Sequence, residues 1–328
     1  MEKIDFVIAW VDGNDVKHRL KRQQFQSTNI VKGSAEETRF ASNDEIYFSI
    51  ASILKYVPYF GTIYIITDEQ QPAHIHDFFE QGLCAPEQIK IIDHRTIFAG
   101  HEQYLPTFNS LSIETMLWNI PGLSKYFIYL NDDFFFNASS ELDDFLVGDH
   151  IKVYGHWENN SLIKAKFNLR KGLNKYFGKP LQPKYTIAQM LSAELCGFNK
   201  YYEIHHRPHI LDRDVLQNYF QKYPTTLAQQ IRHRFRSAFQ FLPVGLNNHL
   251  KIQANEAVLY DDINIAYLKN EALLSLFLEN LNNTTIKFGC IQSLDEFSVQ
   301  GATKVQQAML SKFEDDLPVF LKQQVQVG

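Results

Sequence analysis

Four short segments in the first 150 residues are almost wholly apolar and rich in β-branched or aromatic side chains: IDFVIAW (4–10), TIYIITD (62–68), IKIID (89–93) and YFIYL (126–130). A strand with one wet face alternates polar and apolar residues, whereas a continuous apolar run this short suits a strand covered on both faces, as parallel strands are. Helical patterns lie between them. SNDEIYFSIASILKY (42–56) offers Ser42 and Asn43 as N-cap candidates, sets Glu45 three residues after Ser42, and carries Ile46, Ile50, Ile53 and Leu54 on one face. PAHIHDFFEQG opens with Pro72 and stops at Gly82, and NSLSIETMLWNIPG starts after Asn109 and stops before Pro121. The order β-α-β-α-β-α-β predicts an α/β, Rossmann-like fold: a mostly parallel sheet with helices on both faces, joined by right-handed crossovers.

Composition excludes several classes. A formal net charge of −5 argues against general nucleic-acid binding, which requires a strongly basic face. The three cysteines, Cys84, Cys196 and Cys290, are far apart and show no metal-binding spacing, so they read as reduced thiols of a cytoplasmic protein. The first residues show no secretory signal, and no run of 18 apolar residues occurs that would span a membrane. Neither GxGxxG nor GxxxxGK[ST] is present, which removes the common dinucleotide and P-loop chemistries.

A parallel sheet binds ligands outside the carboxyl ends of its strands. Here those ends read Asp12-Gly13-Asn14-Asp15, Thr67-Asp68, Asp93-His94 and Asn131-Asp132-Asp133. Asp and Asn favour strand ends through turn chemistry alone, and that accounts for any one of these. All four together would gather carboxylates without basic partners, a repulsive arrangement unless a divalent cation neutralises it; an oxygen-only set suits Mg²⁺ or Mn²⁺. An α/β enzyme handling a phosphorylated substrate, as nucleotide-sugar transferases do, is the reading that remains.

The second half is less regular. KAKFNLRKGLNKYFGKP (164–180) holds six lysines or arginines, read either as a solvated insertion or as a patch for an anionic acceptor or membrane face. EIHHRPHILDR places His205, His206 and His209 around Pro208; without a second Cys or His pair this suits a general base or phosphate contact better than zinc. QQIRHRFRSAFQF is expected to be helical, with Arg232 and Arg236 at i and i+4 on one face ready for a phosphate.

These residues also carry a resemblance. IDFVIAWVDGND resembles the first conserved region of the stealth family of sugar-phosphate transferases. RFASNDEIYFSIASILKYVPYFGTIYIITDEQQPAHI (39–75) resembles the second, and LPTFNSLSIETMLWNIPGLSKYFIYLNDDFFF (105–136) the third. HRPHILDR (206–213) is similar to the His-x-Pro-His segment that follows, and IKFGCIQSLDEF (286–297) stands where the fourth region is expected. The resemblance implies transfer of a hexose- or hexosamine-1-phosphate from a nucleotide sugar, usually a UDP-sugar, to an acceptor hydroxyl. The product is a phosphodiester of capsular polysaccharide or exopolysaccharide.

Matched by position, the resemblance implies Asp15, Asp132 and Asp133 as ligands of Mg²⁺ or Mn²⁺ and Asp12, Arg39, Asn131 and Arg236 as substrate contacts. It implies Asp44, Glu45, Glu114, Arg232, His206 and His209 as catalytic, with His206 ahead of His209 as general base. Residues 1–150 are then a nucleotide-sugar-binding core, and 151–328 a mainly helical part completing the same site. The expected partners are the nucleotide-sugar donor and a polysaccharide or glycolipid acceptor, with peripheral contact at the inner membrane face. Three positions depart from the family pattern: Ala51 replaces an arginine, Trp118-Asn119 a basic or histidine position, and Gln292-Ser293 an Asn-Asp pair. A metal-dependent glycosyltransferase releasing a nucleoside diphosphate and an inactive carbohydrate-binding relative remain as alternatives.

Overall fold

The four apolar segments form the strands expected of them in the computed structural model, which describes residues 3–26 and 43–324. They are β1 (Ile4–Ala9), β2 (Phe60–Thr67), β3 (Ile89–Asp93) and β4 (Tyr126–Asn131). β1 lies between β2 and β4, parallel to both, and β3 pairs parallel to β2. The registers Ala9↔Ile66, Ala9↔Asn131 and Thr67↔Asp93 bring the carboxyl ends of all four strands to one edge. The side chains of β1, β2 and β4 are mostly buried because helices pack against the sheet, whereas on the edge strand β3 only Ile89 is fully buried.

α1 (Val16–Phe25) follows β1, and α2 (Glu45–Tyr56) precedes β2. The N-cap of α2 is neither Ser42, which lies outside the described residues, nor Asn43. It is Asp44, in the left-handed conformation at φ 66° with no side-chain cap. Asn43 instead donates to the Glu45 carboxylate through its backbone and side-chain nitrogens. α2 buries both its expected face and its flank, Ala51 included, since it lies between β2 and the strand that follows Asp133. α3 (Ile75–Glu80) and α4 (His94–Ile97) flank β3. α5 (Ser110–Thr115) begins, as expected, after Asn109, whose side chain accepts from Leu111 N. It is only six residues long before a turn of 3₁₀ helix at Leu117–Asn119.

After Asp133 the chain re-enters the core as β5 (Phe134–Phe136). Beyond residue 140 strands accompany the helices: β6 (Leu146–Val147), β7 (His150–Tyr154), β8 (His156–Asn159), β9 (Lys200–Glu203), β10 (His209–Asp212), β11 (Ala257–Tyr260), β12 (Ala266–Leu268) and β13 (Phe288–Ile291). β10 joins the central sheet antiparallel to β4, with His209 opposite Tyr129, so the C-terminal half shares a sheet with the N-terminal half. β5 pairs with β13, setting Gly289 against the Phe135 ring; a Cβ there would stand 2.1 Å from that ring, so no larger residue fits. This pairing brings residues 291–296 to the carboxyl edge of the sheet.

The helices of this half are α6 (Asn160–Phe177), α7 (Tyr185–Leu195), α8 (Arg213–Lys222), α9 (Pro224–Ile231), α10 (Pro243–Gln253), α11 (Leu274–Leu281), α12 (Val299–Phe313) and α13 (Val319–Gln324). α9 stops at Ile231, and residues 232–242 are irregular, so Arg232 and Arg236 share no helical face. A buried ion pair locks the end of β10: Lys251 Nζ on α10 donates to Asp212 Oδ2 at 3.0 Å, while Asp212 Oδ1 caps α8. With side chains 1% and 2% exposed, neither charge has water to fall back on. Lys251→Ala, which leaves the Asp212 carboxylate uncompensated, is expected to lower unfolding free energy by about 3–5 kcal/mol. Urea unfolding measures it, and a loss under about 1 kcal/mol would show that the pair does not hold β10.

Candidate active site

Three adjoining cavities open at the carboxyl edge of the sheet. The first, about 450 Å³, is lined by Trp10, Asn43, Glu45, Asn131, Asp132, Asp133, His206, Arg236 and residues 291–296. The second, about 430 Å³, takes Asp12, Asp15, Asp44 and Asp68 and shares Trp10 and His18 with the first. A third, about 210 Å³, lies beyond Asn131, His206 and Arg236 and is walled by Glu114, Tyr129, Tyr185 and His209. The first two are in the size range of ligand sites.

The acidic strand ends divide into two kinds. Asp12 Oδ1 accepts from Asn14 N at 2.8 Å, Asp15 Oδ1 caps α1 through His18 N at 2.7 Å, and Asp93 caps α4 through Arg95 N at 2.8 Å. Asp68 pairs with Lys21 at 2.7 Å. Turn chemistry or a cation therefore accounts for three of the four strand ends. The fourth differs, because the half-buried Asp132 and Asp133 have no cation in salt-bridge contact among the described residues; Asp133 Oδ1 is buried without a hydrogen bond, as is Asp68 Oδ2. Burial pushes the Asp133 carboxyl up to about 7, aided by the Glu45 charge. Asp132 is raised well above the ordinary carboxylate range too, by burial and then by the charges of Asp133 and Glu45. Burial also raises Glu45, against hydrogen bonds from Asn43.

The expected ligand set of Asp15, Asp132 and Asp133 is corrected accordingly. Asp15 turns into the second cavity to cap a helix, and Glu45 is the third carboxylate facing Asp132 and Asp133. The three fit a divalent cation, since three raised carboxyls and the orphaned Asp133 oxygen point to a missing positive charge. Their oxygens do not close to the spacing of a finished cage, which leaves room for substrate oxygens, as Mg²⁺ sites use. Among the described residues the tight His-carboxylate groupings lie elsewhere, at the surface around His156, where His205 faces Asp262 at 3.5 Å.

Of the basic cluster, one member reaches the site. Arg236 Nη2 donates to Ser110 Oγ at 2.6 Å, and its charge is felt by both Asp133 and Glu114. Arg234 is spent on the carbonyls of Tyr104 and Pro106. Arg232, expected to be catalytic, is exposed at the end of α9 and lines none of these cavities, because the chain leaves the helix there. Arg39 lies outside the described residues.

His206 stands in the wall between the first and third cavities, stacked on Tyr185 at 4.9 Å and, on the other side, facing Tyr267 at 6.1 Å. Burial, then the neighbouring His205, Arg236 and Lys269, bring it down to about 4, so the ring is neutral. His209 sits deeper on β10, and its Nε2 is committed to the His205 carbonyl at 3.0 Å. Glu114 is buried within reach of Ser110 and Tyr129; burial pushes it up to about 7, against the Arg236 charge. Tyr129, Ser110 and Tyr185 escaped the sequence reading. For Tyr129 the signal existed: two residues before Asn131 on the same strand, it shares that residue's face and donates to Asn131 Oδ1 at 2.7 Å.

Because the Glu114 carboxyl is raised in the folded state from the ordinary 4.5, the stability it contributes is full below about 4.5 and is lost as pH rises through about 7. Glu114→Gln removes that dependence. Between pH 4.5 and 8 the native chain should lose up to about 3 kcal/mol relative to the variant, read by urea unfolding at both pH values. Parallel pH responses would show that Glu114 ionises as freely as a surface carboxylate.

Comparisons with known proteins place the chain in a family. Residues 2–29 match the model for Stealth protein CR1, conserved region 1, and residues 39–154 that for Stealth protein CR2, conserved region 2. Receptor polysaccharide phosphotransferase WefC of Streptococcus gordonii is 30% identical over 258 residues, covering 72% of this chain and 74% of that protein. Exopolysaccharide phosphotransferase SCO6023 of Streptomyces coelicolor is 29% identical over 269 residues, 81% of this chain and 42% of its own. Capsular polysaccharide phosphotransferase LcbA of Neisseria meningitidis is 44% identical over 136 residues, 40% of this chain and 35% of its own. The chain thus spans about three quarters of the first relative and less than half of the other two. Among solved structures, the glycosyltransferase GlyE of Streptococcus pneumoniae aligns over 99% of this chain and 64% of its own, at 10% identity and a TM-score of 0.41, too loose a likeness to bear an argument.

Proposed function

The chain belongs to the stealth family and is an enzyme of the phosphotransferase type; from that premise we propose that it moves a hexose- or hexosamine-1-phosphate from a nucleotide sugar, a UDP-sugar first among them, to a carbohydrate hydroxyl. The observation that carries the reading is the first cavity: paired carboxylates without an ion-pair partner among the described residues, lined also by one arginine and a neutral imidazole. Phosphoryl-type transfer needs charge neutralisation, in-line positioning and a base for the attacking hydroxyl, and these residues are of the types that supply them.

In this reading the acceptor hydroxyl gives its proton to the neutral His206 as its oxygen bonds to the β-phosphorus of the donor. The bond from that phosphorus to the bridging oxygen breaks, and the nucleoside monophosphate leaves with the bridging oxygen. Arg236, oriented by Ser110, faces the charge that builds on the transferred phosphoryl group. Asp132 and Asp133, with Glu45, would hold Mg²⁺ or Mn²⁺, which when bound neutralises the diphosphate. Asn131, Asp12 and Asp44 line the approach, and Glu114 lies within electrostatic reach of Arg236 in the third cavity. His209 keeps β10 and His206 in place and is no longer the choice for the base. The donor is a nucleotide sugar and the acceptor a bacterial surface polysaccharide or its glycolipid precursor.

Incubation with UDP-N-acetylglucosamine and a panel of other nucleotide sugars, Mg²⁺ and a polysaccharide acceptor should release the nucleoside monophosphate. Release of the diphosphate would make the chain a glycosyltransferase, and no turnover across the panel a binding relative. Asp133→Asn and His206→Ala should each slow the reaction by at least about a hundredfold, as loss of a charge partner or general base does. Arg232→Ala should stay within about threefold of native, the range of an exposed side chain away from the site. Near-native rates in both Asp133→Asn and His206→Ala would overturn the assignment.

A further inference from the structure

The site does not account for α6. This helix of 18 residues is capped at one end by the Asn159 side chain and closed at the other by Gly178 at φ 64°, so it is a complete, rigid element about 27 Å long. Its inner face is anchored, with Phe167 in a small core beside Leu181, Ile187 and Tyr201. Its outer face is apolar. Leu162, Leu169 and Tyr176, spaced seven residues apart, are 75%, 66% and 74% exposed, and Phe177 is 72% exposed. These are four of the five most exposed large apolar side chains among the described residues, and they sit on a single helix. Isolated exposed leucines are ordinary, but a stripe of them is a contact surface.

Cations border the stripe. At 3.6 residues per turn, Lys166 and Arg170 fall on one flank, whereas Lys164, Lys171 and Lys175 lie on the far side of the helix, where Lys164 pairs with Glu194 at 2.8 Å and Lys171 stands over the Phe239 ring. Lys179 and Lys184 follow, and no Asp or Glu occurs between residues 160 and 184, although the whole chain carries a net charge of −5. An exposed apolar stripe with a basic flank, and further lysines just past its end, is the pattern of a helix lying in a bilayer surface, where leucines and aromatics enter the acyl boundary and the cations reach back to anionic headgroups. A soluble polyanion would use the lysines but leave the leucines wet. No helix among the described residues is long and apolar enough to cross a membrane, so the contact is interfacial.

The placement is suited to the chemistry next door. The connection leaving α6 leads to Pro183, Lys184 and Tyr185, which wall the third cavity beside Glu114 and Arg236. Phe239, three residues past Arg236, packs on Phe167 with ring centroids 6.0 Å apart. We propose that α6 is a docking helix for an anionic lipid bilayer and holds the mouth of the third cavity near the membrane surface. The docking is independent of the reaction assigned to the cavity: vesicle binding can fail with turnover intact, and the reverse.

Cosedimentation with phosphatidylcholine vesicles, with and without about 30% phosphatidylglycerol, tests it. The native chain should bind the anionic vesicles at least about tenfold more tightly than the neutral ones, less so at high salt. Leu162→Gln with Leu169→Gln should weaken that binding at least about tenfold while leaving the melting transition unchanged, since both side chains are exposed. Lys166→Gln with Arg170→Gln should weaken it and flatten its salt dependence. Equal binding to neutral and anionic vesicles, no binding, or an unaffected leucine variant would overturn the proposal. So would tight binding to a soluble anionic polysaccharide that the vesicles cannot displace, which would assign the helix to glycan instead.

Discussion

The parallel pairing of β1 between β2 and β4 is the constraint on which the rest of the molecule depends. Because the three strands run the same way and their registers align Ala9 with both Ile66 and Asn131, residues more than a hundred positions apart arrive at one edge. The strands can be continuous apolar runs only because both faces are covered. Covering both faces in turn leaves the carboxyl edge as the open place where polar side chains from several strands can meet water or a ligand.

What stands at that edge follows from local geometry and from long-range packing in different measure. Asp12, Asp15 and Asp93 are satisfied within a few residues by turn and cap hydrogen bonds, which cost the fold little and persist whatever is bound. Asp132 and Asp133 are held between a buried strand and a second run of phenylalanines that pairs with β13. Their carboxyls are raised because burial removes water faster than Arg236 and the hydrogen bonds replace it. That imbalance is carried by the aromatic packing around the two carboxyls.

The strand segments, their order and the acidic edge were legible because each rests on patterns a few residues long: apolar runs, caps and turn residues. The start of α5 after Asn109 was visible for the same reason. The helix assumed over residues 229–241 failed because α9 ends at Ile231, and residues beyond it are drawn into contacts with residues over a hundred positions away: Arg234 to Pro106, Phe108 N to the Arg234 carbonyl, and Arg236 to Ser110. The capping role of Asn43 failed for a local reason: its hydrogen bonds go to Glu45 two residues on, and Asp44 takes the left-handed conformation at the helix start.

By itself the sequence determined the α/β architecture, the edge where chemistry would gather and the family to which the chain belongs, because all three are written in short contiguous motifs. Only the tertiary structure decided which acids at that edge lack partners, that Glu45 rather than Asp15 faces Asp132 and Asp133, and that Arg236 rather than Arg232 enters the cavity. It also set α6 with its leucines outward. The reason is physical: a side chain's charge state and reach depend on what is packed around it, and those neighbours come from distant parts of the chain that no local pattern encodes.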